Sequence, residues 1–564
     1  MSIERQTRLA AVTATLLLLC SAARAAQPPV TPDSACAQLR NQKVPASVMG
    51  LPTAGAVVTS ATQMDVYCKV LGSIAAVDPT APAIQFELDL PTTWNRKLLM
   101  LGGGGFNGTI PNTAGNVPAG PYDRPVPLAR GYAVVGSDSG HQAPKTPQAP
   151  LKPGMDARFA LNSEALRNYT GEALKKTHDA AAYLIHKRYG VRPGKAYFAG
   201  GSTGGREALE VVQRWPDDWD GAIAWYPAWN HVALVLQVGR VARALAAPGA
   251  WLSEQKRNAL FEAALGACDE LDGVADGIVS NVAACNAKFD PATAVLNGSP
   301  LRCAGGADLG DACLSDAQIR ALRVFSTPIE FEPALASGET HYPGYNLYGS
   351  DLGRDRDSPV QPIVIGLALG TVPPRASLVA GESPAVSVFW DQWVRFVFAD
   401  NSNFDAVALD PVTRGTLRAH IDELAKTLDV NRTDYSAFAN KGGKILMAHG
   451  TADVLVSTRS TEEYYTRIRA TMSAAKVRQF LRFYEVPGFG HAVSSVFNAS
   501  WDSLTALENW VERGVAPAAQ IVSDSIGVPG RTRPLCEYPQ WPKYRGRGDV
   551  NSAASFECVS GDLH

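Results

Sequence analysis

The sequence predicts an α/β protein: a mostly parallel sheet flanked by helices, with a large inserted lid. Three observations carry this. Short apolar runs of strand type alternate with stretches of helical spacing, the pattern of a parallel sheet covered on both faces. The alternation stops near residue 228 and resumes only after about residue 440. At 564 residues the chain also exceeds one ordinary core, so a second domain or a large insertion is expected.

The elements follow in order. Residues 27–60, rich in Pro and Ala, read as a loose lead-in. Apolar and polar residues alternate over 84–90, as in a half-buried strand. The apolar run 97–101 ends in four glycines, Gly102 to Gly105, and 131–135 is another buried-type strand. Residues 169–189 carry apolar residues at helical spacing and close on Gly190, a helix C-cap. A strand over 195–199 leads into Gly-Gly-Ser-Thr-Gly-Gly, a helix over 206–215 stops before Pro216, and 221–225 is strand-like. After the helix- and loop-rich stretch come a strand at 444–447, a helix over 458–474 and a strand over 478–486. Residues 26–227 and 441–564 are therefore assigned to one core, and 228–440 to the lid.

The N-terminus reads as a targeting segment. Arg5 and Arg8 precede an apolar run over 9–19, and Ala23-Arg24-Ala25 follows as a cleavage pattern. This is a secretory signal peptide over residues 1–25. The run is too short to span a bilayer, and no later segment is long enough. Cys20 invites a lipid anchor, but Leu18 and Leu19 are bulky where such a site needs small residues. A soluble secreted or periplasmic product is expected. Of nine cysteines, eight remain after cleavage, an even number suited to an oxidising compartment. They fall in sequence-local pairs, Cys36 with Cys68, Cys268 with Cys285, Cys303 with Cys313 and Cys536 with Cys558, but many other pairings are open. No C-x-x-C occurs, so neither a zinc knuckle nor a redox motif is supported. A net charge of -2 and the absence of any basic run argue against a nucleic-acid partner.

The chemistry begins at Gly200-Gly201-Ser202-Thr203-Gly204, a G-x-S-x-G pattern between a strand and a helix. That context marks a nucleophile elbow, in which the serine sits on a sharp strained turn and flanking glycines relieve the crowding. A serine needs a base, and the base an orienting carboxylate. In α/β-hydrolases these follow in the order Ser, Asp or Glu, His. Of the later histidines, His491 stands in a glycine-rich loop just beyond a strand, where a base belongs. His449 ends a strand and reads as structural. Asp453 follows the strand at 444–447 and is the candidate acid, with a helix N-cap as its bland alternative; Asp400 and Asp405 fall in the lid. The oxyanion donors are expected to be the Thr203 N–H and the Gly102 N–H. Separately, Asp269, Asp272 and Asp276 crowd into one turn, with the Val274 and Ile278 carbonyls as further oxygen donors. Such a set suits calcium, though the spacing is not that of an EF-hand and an ordinary Asp/Gly turn remains open.

Together, Gly-Gly-Ser-Thr-Gly-Gly-Arg-Glu-Ala, the GGGGFNG loop, the CDELDGVADGI segment and the tail TRPLCEYPQ with KYRGRGD resemble the tannase and feruloyl esterase family, which includes the mono(2-hydroxyethyl) terephthalate hydrolases. The resemblance covers nearly the whole mature chain. It implies an α/β-hydrolase core with a calcium-carrying lid, a triad of Ser202, Asp453 and His491, a structural Ca2+ at the aspartate loop, and disulfides between sequence neighbours. It implies a small aromatic ester as substrate, a feruloyl or galloyl ester or a terephthalate monoester. One departure stands out. The family's cysteine bridge beside the triad would fall at positions 201 and 492, which here are Gly201 and Ala492. A site held by packing alone is expected, and a Gly201→Cys, Ala492→Cys pair is expected to form a bridge and raise Tm. In the lid, Phe389, Trp390, Trp393 and Phe396 either stack on an aromatic acyl group or form core. The terephthalate enzymes use a lid arginine for the free carboxylate; Pro384 stands in the corresponding region, which favours phenolic acid esters. A peptidase and a non-catalytic binding protein on the same scaffold are the competing readings.

Overall fold

The computed structural model describes residues 32–142, 154–374 and 382–560. The signal-peptide segment, Cys20 and His564 fall outside the described residues. Ten strands form the central sheet: β1 (Lys43–Val44), β2 (Ala56–Gln63), β3 (Tyr67–Ile74), β4 (Ile84–Pro91), β5 (Lys97–Leu101), β6 (Ala133–Ser137), β7 (Lys195–Gly201), β8 (Gly221–Trp225), β9 (Lys444–Gly450) and β10 (Leu481–Val486). Their order is β1-β2-β3-β4-β6-β5-β7-β8-β9-β10. The first four, and the β4–β6 pair, run antiparallel, whereas β6, β5, β7, β8, β9 and β10 are mutually parallel.

Residues 27–60 are not wholly a loose lead-in. β2 begins at Ala56 and pairs along β3, with side chains alternately buried and exposed up to a register shift between Val58 and Ser60. Its β-branched Val57, Val58, Thr59 and Thr62 fit a pleated, half-buried surface. The Cys36–Cys68 bridge staples the segment before it to β3.

Helices pack on the sheet between the parallel strands. α1 (Ala173–Tyr189) closes on Gly190 at φ 76°, as its sequence predicts. The expected start near 169 is instead a kinked turn over Asn168–Glu172. There Gly171 takes φ 125°, and a Cβ on it would stand 2.0 Å from Glu210 Oε1. α2 (Thr203–Arg214) follows Ser202 directly. In the lid, α3 (His231–Leu245) packs on α4 (Ala385–Trp393). One apolar cluster joins these lid helices to Phe106, Tyr169, Ala228 and Val454–Val456, so the lid and this edge of the core pack as one. The remaining bridges are Cys268–Cys285, Cys303–Cys313 and Cys536–Cys558, the neighbour pairing the resemblance implied. No helix among the described residues is long and apolar enough to cross a membrane.

Candidate active site

Parallel pairing brings the C-terminal ends of β7, β8, β9 and β10 to one edge of the sheet: Gly201 is level with Trp225, and Gly450 with Val486. Ser202 follows β7 directly, Asp453 lies three residues beyond β9, and His491 five beyond β10. This edge is where sheets of this kind bind their ligands.

Ser202 has φ 61° and ψ -122°, a conformation non-glycine residues rarely adopt. The glycines around it are dictated by space. A Cβ on Gly200 would stand 2.3 Å from the Gly204 carbonyl oxygen, and one on Gly204 would stand 2.7 Å from that of Gly103. The expected crowding at the elbow is therefore present. Thr203, the first residue of α2, leaves its N–H at the helix N-terminus, where such groups lack intrahelical partners.

Asp453 and His491 are joined. His491 Nδ1 lies 2.8 Å from Asp453 Oδ2, so the ring's Nε2 is the nitrogen left for chemistry. Asp453 is buried, and its Oδ1 accepts the Leu455 and Val456 N–H groups at 2.8 and 3.0 Å. Burial alone would raise its pKa. The His491 charge and hydrogen bonds from His449 and His491 outweigh it and hold the carboxyl well below the usual range. The Ser202 hydroxyl makes no hydrogen bond among the described residues. In free hydrolases this contact is often long and tightens when substrate binds.

Three neighbours were not legible as site residues. His449, read as structural, sits with Nε2 3.3 Å from Asp453 Oδ2 and Nδ1 2.9 Å from Thr461 Oγ1, so it braces the acid. Its spacing of four residues from Asp453 was the available signal. Glu207, one turn into α2, is buried, and its carboxylate accepts the Gly103 N–H at 3.0 Å and Asn107 Nδ2 at 2.7 Å. Burial pushes its pKa up, against the pull of Arg206. Tyr226, just past β8, places its ring 4.8 Å from that of His491.

Two expectations are corrected. The Gly102 N–H is not free to hold an oxyanion. It donates to the Ala199 carbonyl at 2.9 Å, extending the β5–β7 ladder by one residue. With Gly103 held by Glu207, Gly104 is the next amide along the loop, and open space surrounds the position of its Cβ. The Gly201 position takes a cysteine only if Tyr226 is displaced. A Cβ there would stand 2.5 Å from Cε2, 2.6 Å from the hydroxyl oxygen and 2.7 Å from Cζ of Tyr226, so this side chain already fills the place proposed for a bridge.

Next to Thr203, whose Oγ1 donates to the Gly105 carbonyl at 2.7 Å, lies an aromatic group. Phe106 packs edge-on against Phe389 at 5.1 Å and Trp393 at 5.9 Å. His231 leans on Trp393 at 4.9 Å with both ring nitrogens unpartnered. Burial, with the Arg206 charge, lowers its pKa to about 3, which leaves it neutral. Trp390 and Trp393 are buried core and Phe389 is half-buried, and both Trp393 and Phe389 meet Phe106 of the glycine-rich loop. Arg395 is engaged by Asp391 and the Ser402 carbonyl. A small cavity of about 20 Å³ adjoins His491, walled by Val364 and Leu367 of the lid and by Val454. A larger one of about 1250 Å³, lined by Arg459, Glu462, Glu485 and Trp541, touches none of the triad candidates.

In the aspartate loop, Asp269 accepts the Asp276 and Gly277 N–H groups. Asp272 is fully buried with Oδ2 unpartnered, and burial raises its pKa to about 6, opposed by the Ser280 hydroxyl and helped by the charge of Asp276. Arg533 pairs with Asp276, and Arg531 donates to its carbonyl. The orphaned carboxylate oxygen and the crowded like charges fit a hard cation. Elsewhere, His178, Asp179 and Asp218 also converge, but Lys175 Nζ stands 2.8 Å from both aspartates and neutralises them.

The sheet topology and the strained serine turn define an α/β-hydrolase. The sequence pattern of the tannase and feruloyl esterase family matches residues 68–559. The chain is 38% identical over 540 residues to an uncharacterized esterase of Agrobacterium fabrum, covering 93% of each. It is 32% identical over 537 residues to the mono(2-hydroxyethyl) terephthalate hydrolase of Piscinibacter sakaiensis, covering 89% of this chain and 86% of that one. Its fold matches feruloyl esterase B from Aspergillus oryzae with a TM-score of 0.73 at 22% identity, over 94% of this chain and 100% of the other. The chain belongs to the tannase and feruloyl esterase family of carboxylic ester hydrolases.

Proposed function

We propose that this is a secreted serine esterase acting on esters of aromatic, phenolic acids such as feruloyl or galloyl esters. The observation that carries the reading is the Asp453–His491 pair at the same sheet edge as the strained Ser202. His491 Nε2 takes the Ser202 proton as Oγ attacks the ester carbonyl, and Asp453 stabilises the imidazolium. The oxyanion is held by the Thr203 and Gly104 N–H groups. The tetrahedral intermediate collapses, His491 protonates the departing alcohol, and an acyl-serine forms. Water, deprotonated by His491, then releases the acid and restores Ser202.

The aromatic group beside Thr203 supports an aromatic acyl part. Asp269, Asp272 and Asp276, with the Val274 and Ile278 carbonyls, would hold a structural Ca2+; its chemistry is to neutralise the crowded carboxylates. The four disulfides support export to an oxidising compartment. Terephthalate monoesters are the second reading, favoured by the similarity to the Piscinibacter enzyme. Pro384 in the lid and the engaged Arg395 weigh against it.

The test is turnover of methyl ferulate, methyl gallate, a terephthalate monoester and a peptide amide, with fluorophosphonate labelling. Ser202→Ala is expected to abolish both labelling and turnover. A wild-type protein that takes no label would instead be a binding protein on this scaffold.

A further inference from the structure

Tyr226 sits where three catalytic segments meet. Its N–H donates to the Ala448 carbonyl at 2.7 Å, which ties it to the strand that carries Asp453. Its ring lies 4.8 Å from His491, 6.3 Å from Phe489 in the same loop and 6.2 Å from His449, which braces the acid. On its other side it fills the space beside Gly201, the residue before the nucleophile. The backbone accepts a cost to aim it there: φ is 34°, in the left-handed region that side-chain-bearing residues avoid. The side chain is 4% exposed, so it is packing against the triad rather than facing solvent. Burial, and then the charge of Asp453, raises its pKa well above the ordinary value, so the ring stays a neutral phenol.

We propose that Tyr226 is a positioning residue, a ring wedged between Gly201 and His491 that keeps the imidazole oriented toward Ser202. This rests on the reading of Ser202 and His491 as nucleophile and base. The wedge acts by its bulk and flatness, and the hydroxyl is not the working part. It follows that Gly201 is a glycine to make room for the ring, and that enlarging residue 201 acts on His491 through Tyr226.

The test is a double-mutant cycle on the full-length enzyme, read by kcat, KM and the rate of fluorophosphonate labelling. Tyr226→Ala is expected to lower kcat by about 10- to 100-fold, the scale of an ångström-sized misplacement, with KM changed by less than about threefold. Tyr226→Phe should recover most of kcat. Gly201→Ala should lower kcat about tenfold in the parent and less than about twofold in the Tyr226→Ala background, since contacting residues couple. Where Tyr226→Ala does not fold, Tyr226→Leu takes its place, keeping bulk without the flat ring. Equal effects of Gly201→Ala in both backgrounds would overturn the proposal, as would a loss in Tyr226→Phe as deep as in Tyr226→Ala. A rise in KM at constant kcat would overturn it too, making Tyr226 a wall of the substrate site. A parent enzyme without Ser202-dependent labelling defeats the functional reading itself, before any Tyr226 variant is compared.

Discussion

Two imidazoles converge on one carboxylate oxygen of Asp453, His491 at 2.8 Å and His449 at 3.3 Å. Only one of them can serve as base. His449 is fully buried and held at both nitrogens, by Thr461 Oγ1 and by the Val456 carbonyl, whereas His491 keeps Nε2 for chemistry and some exposure. His491→Ala is therefore expected to cost on the order of 10⁴-fold in kcat, as loss of a triad member does. His449→Ala should cost roughly tenfold, because the Leu455 and Val456 N–H groups still orient Asp453. Steady-state kinetics on an activated aryl ester check this, and a His449 variant as impaired as the His491 variant would reverse the assignment. The same residues mark how far the sequence could be read. The turns that carry Ser202, Asp453 and His491 were legible because each follows its strand with its own local grammar, and the structure brings Asp453 and His491 into contact. Glu207 and Tyr226 meet the site through contacts between elements that nothing in their neighbours along the chain announces, and His449 offered only its spacing of four residues from Asp453. Gly102 was misplaced for a related reason: the ladder to Ala199 runs one residue past the apolar run that defined β5.

At the scale of elements, the parallel strands and their helices lay close to their predicted bounds, because apolar periodicity reports directly on two-sided burial. β2 was hidden by Pro- and Ala-rich surroundings, and its place in the sheet depends on pairing with β3. The aspartate loop is the element with the most to lose. It gathers Asp269, Asp272 and Asp276 between the bridged Cys268 and Cys285, with Arg533 as the cation that pairs with Asp276. Buried like charges with one unpartnered oxygen are costly unless an ion neutralises them. Chelation with EDTA is expected to lower Tm by about 5 °C or more, and added Ca2+ to restore it, since a ligand specific to the native state stabilises by mass action. Asp272→Ala should erase the difference between chelated and calcium-loaded protein. A Tm indifferent to chelator and calcium, measured by differential scanning calorimetry, would leave the loop an ordinary turn.

The molecule as a whole depends on how the lid returns to the core, and Asp429 stands at that return. Its Oδ1 accepts the Val232 N–H at 2.9 Å, at the start of α3, and its Oδ2 accepts from Ser337 Oγ at 2.7 Å. The next residue, Val430, donates its N–H to the carbonyl of Trp229, whose indole stacks on Tyr464 of the core at 4.4 Å. Burial is the main reason that the Asp429 pKa rises from 3.8 to about 7, and the Glu339 charge adds to it, against the pull of Arg206. A carboxyl whose folded pKa is raised favours the fold while protonated. Its contribution is complete below about pH 4 and is lost as pH rises through about 7. Asparagine keeps an acceptor for the Val232 N–H and removes the charge. Asp429→Asn is therefore expected to raise stability at pH 8 and to leave it nearly unchanged at pH 5. Because the residue retains some solvent contact, we expect about 1 kcal/mol at pH 8 rather than the full value that the raised pKa would imply. Thermal unfolding of both proteins at the two pH values checks this. An asparagine variant destabilised equally at pH 5 and pH 8 would mean that the joint between lid and core needs the carboxylate itself.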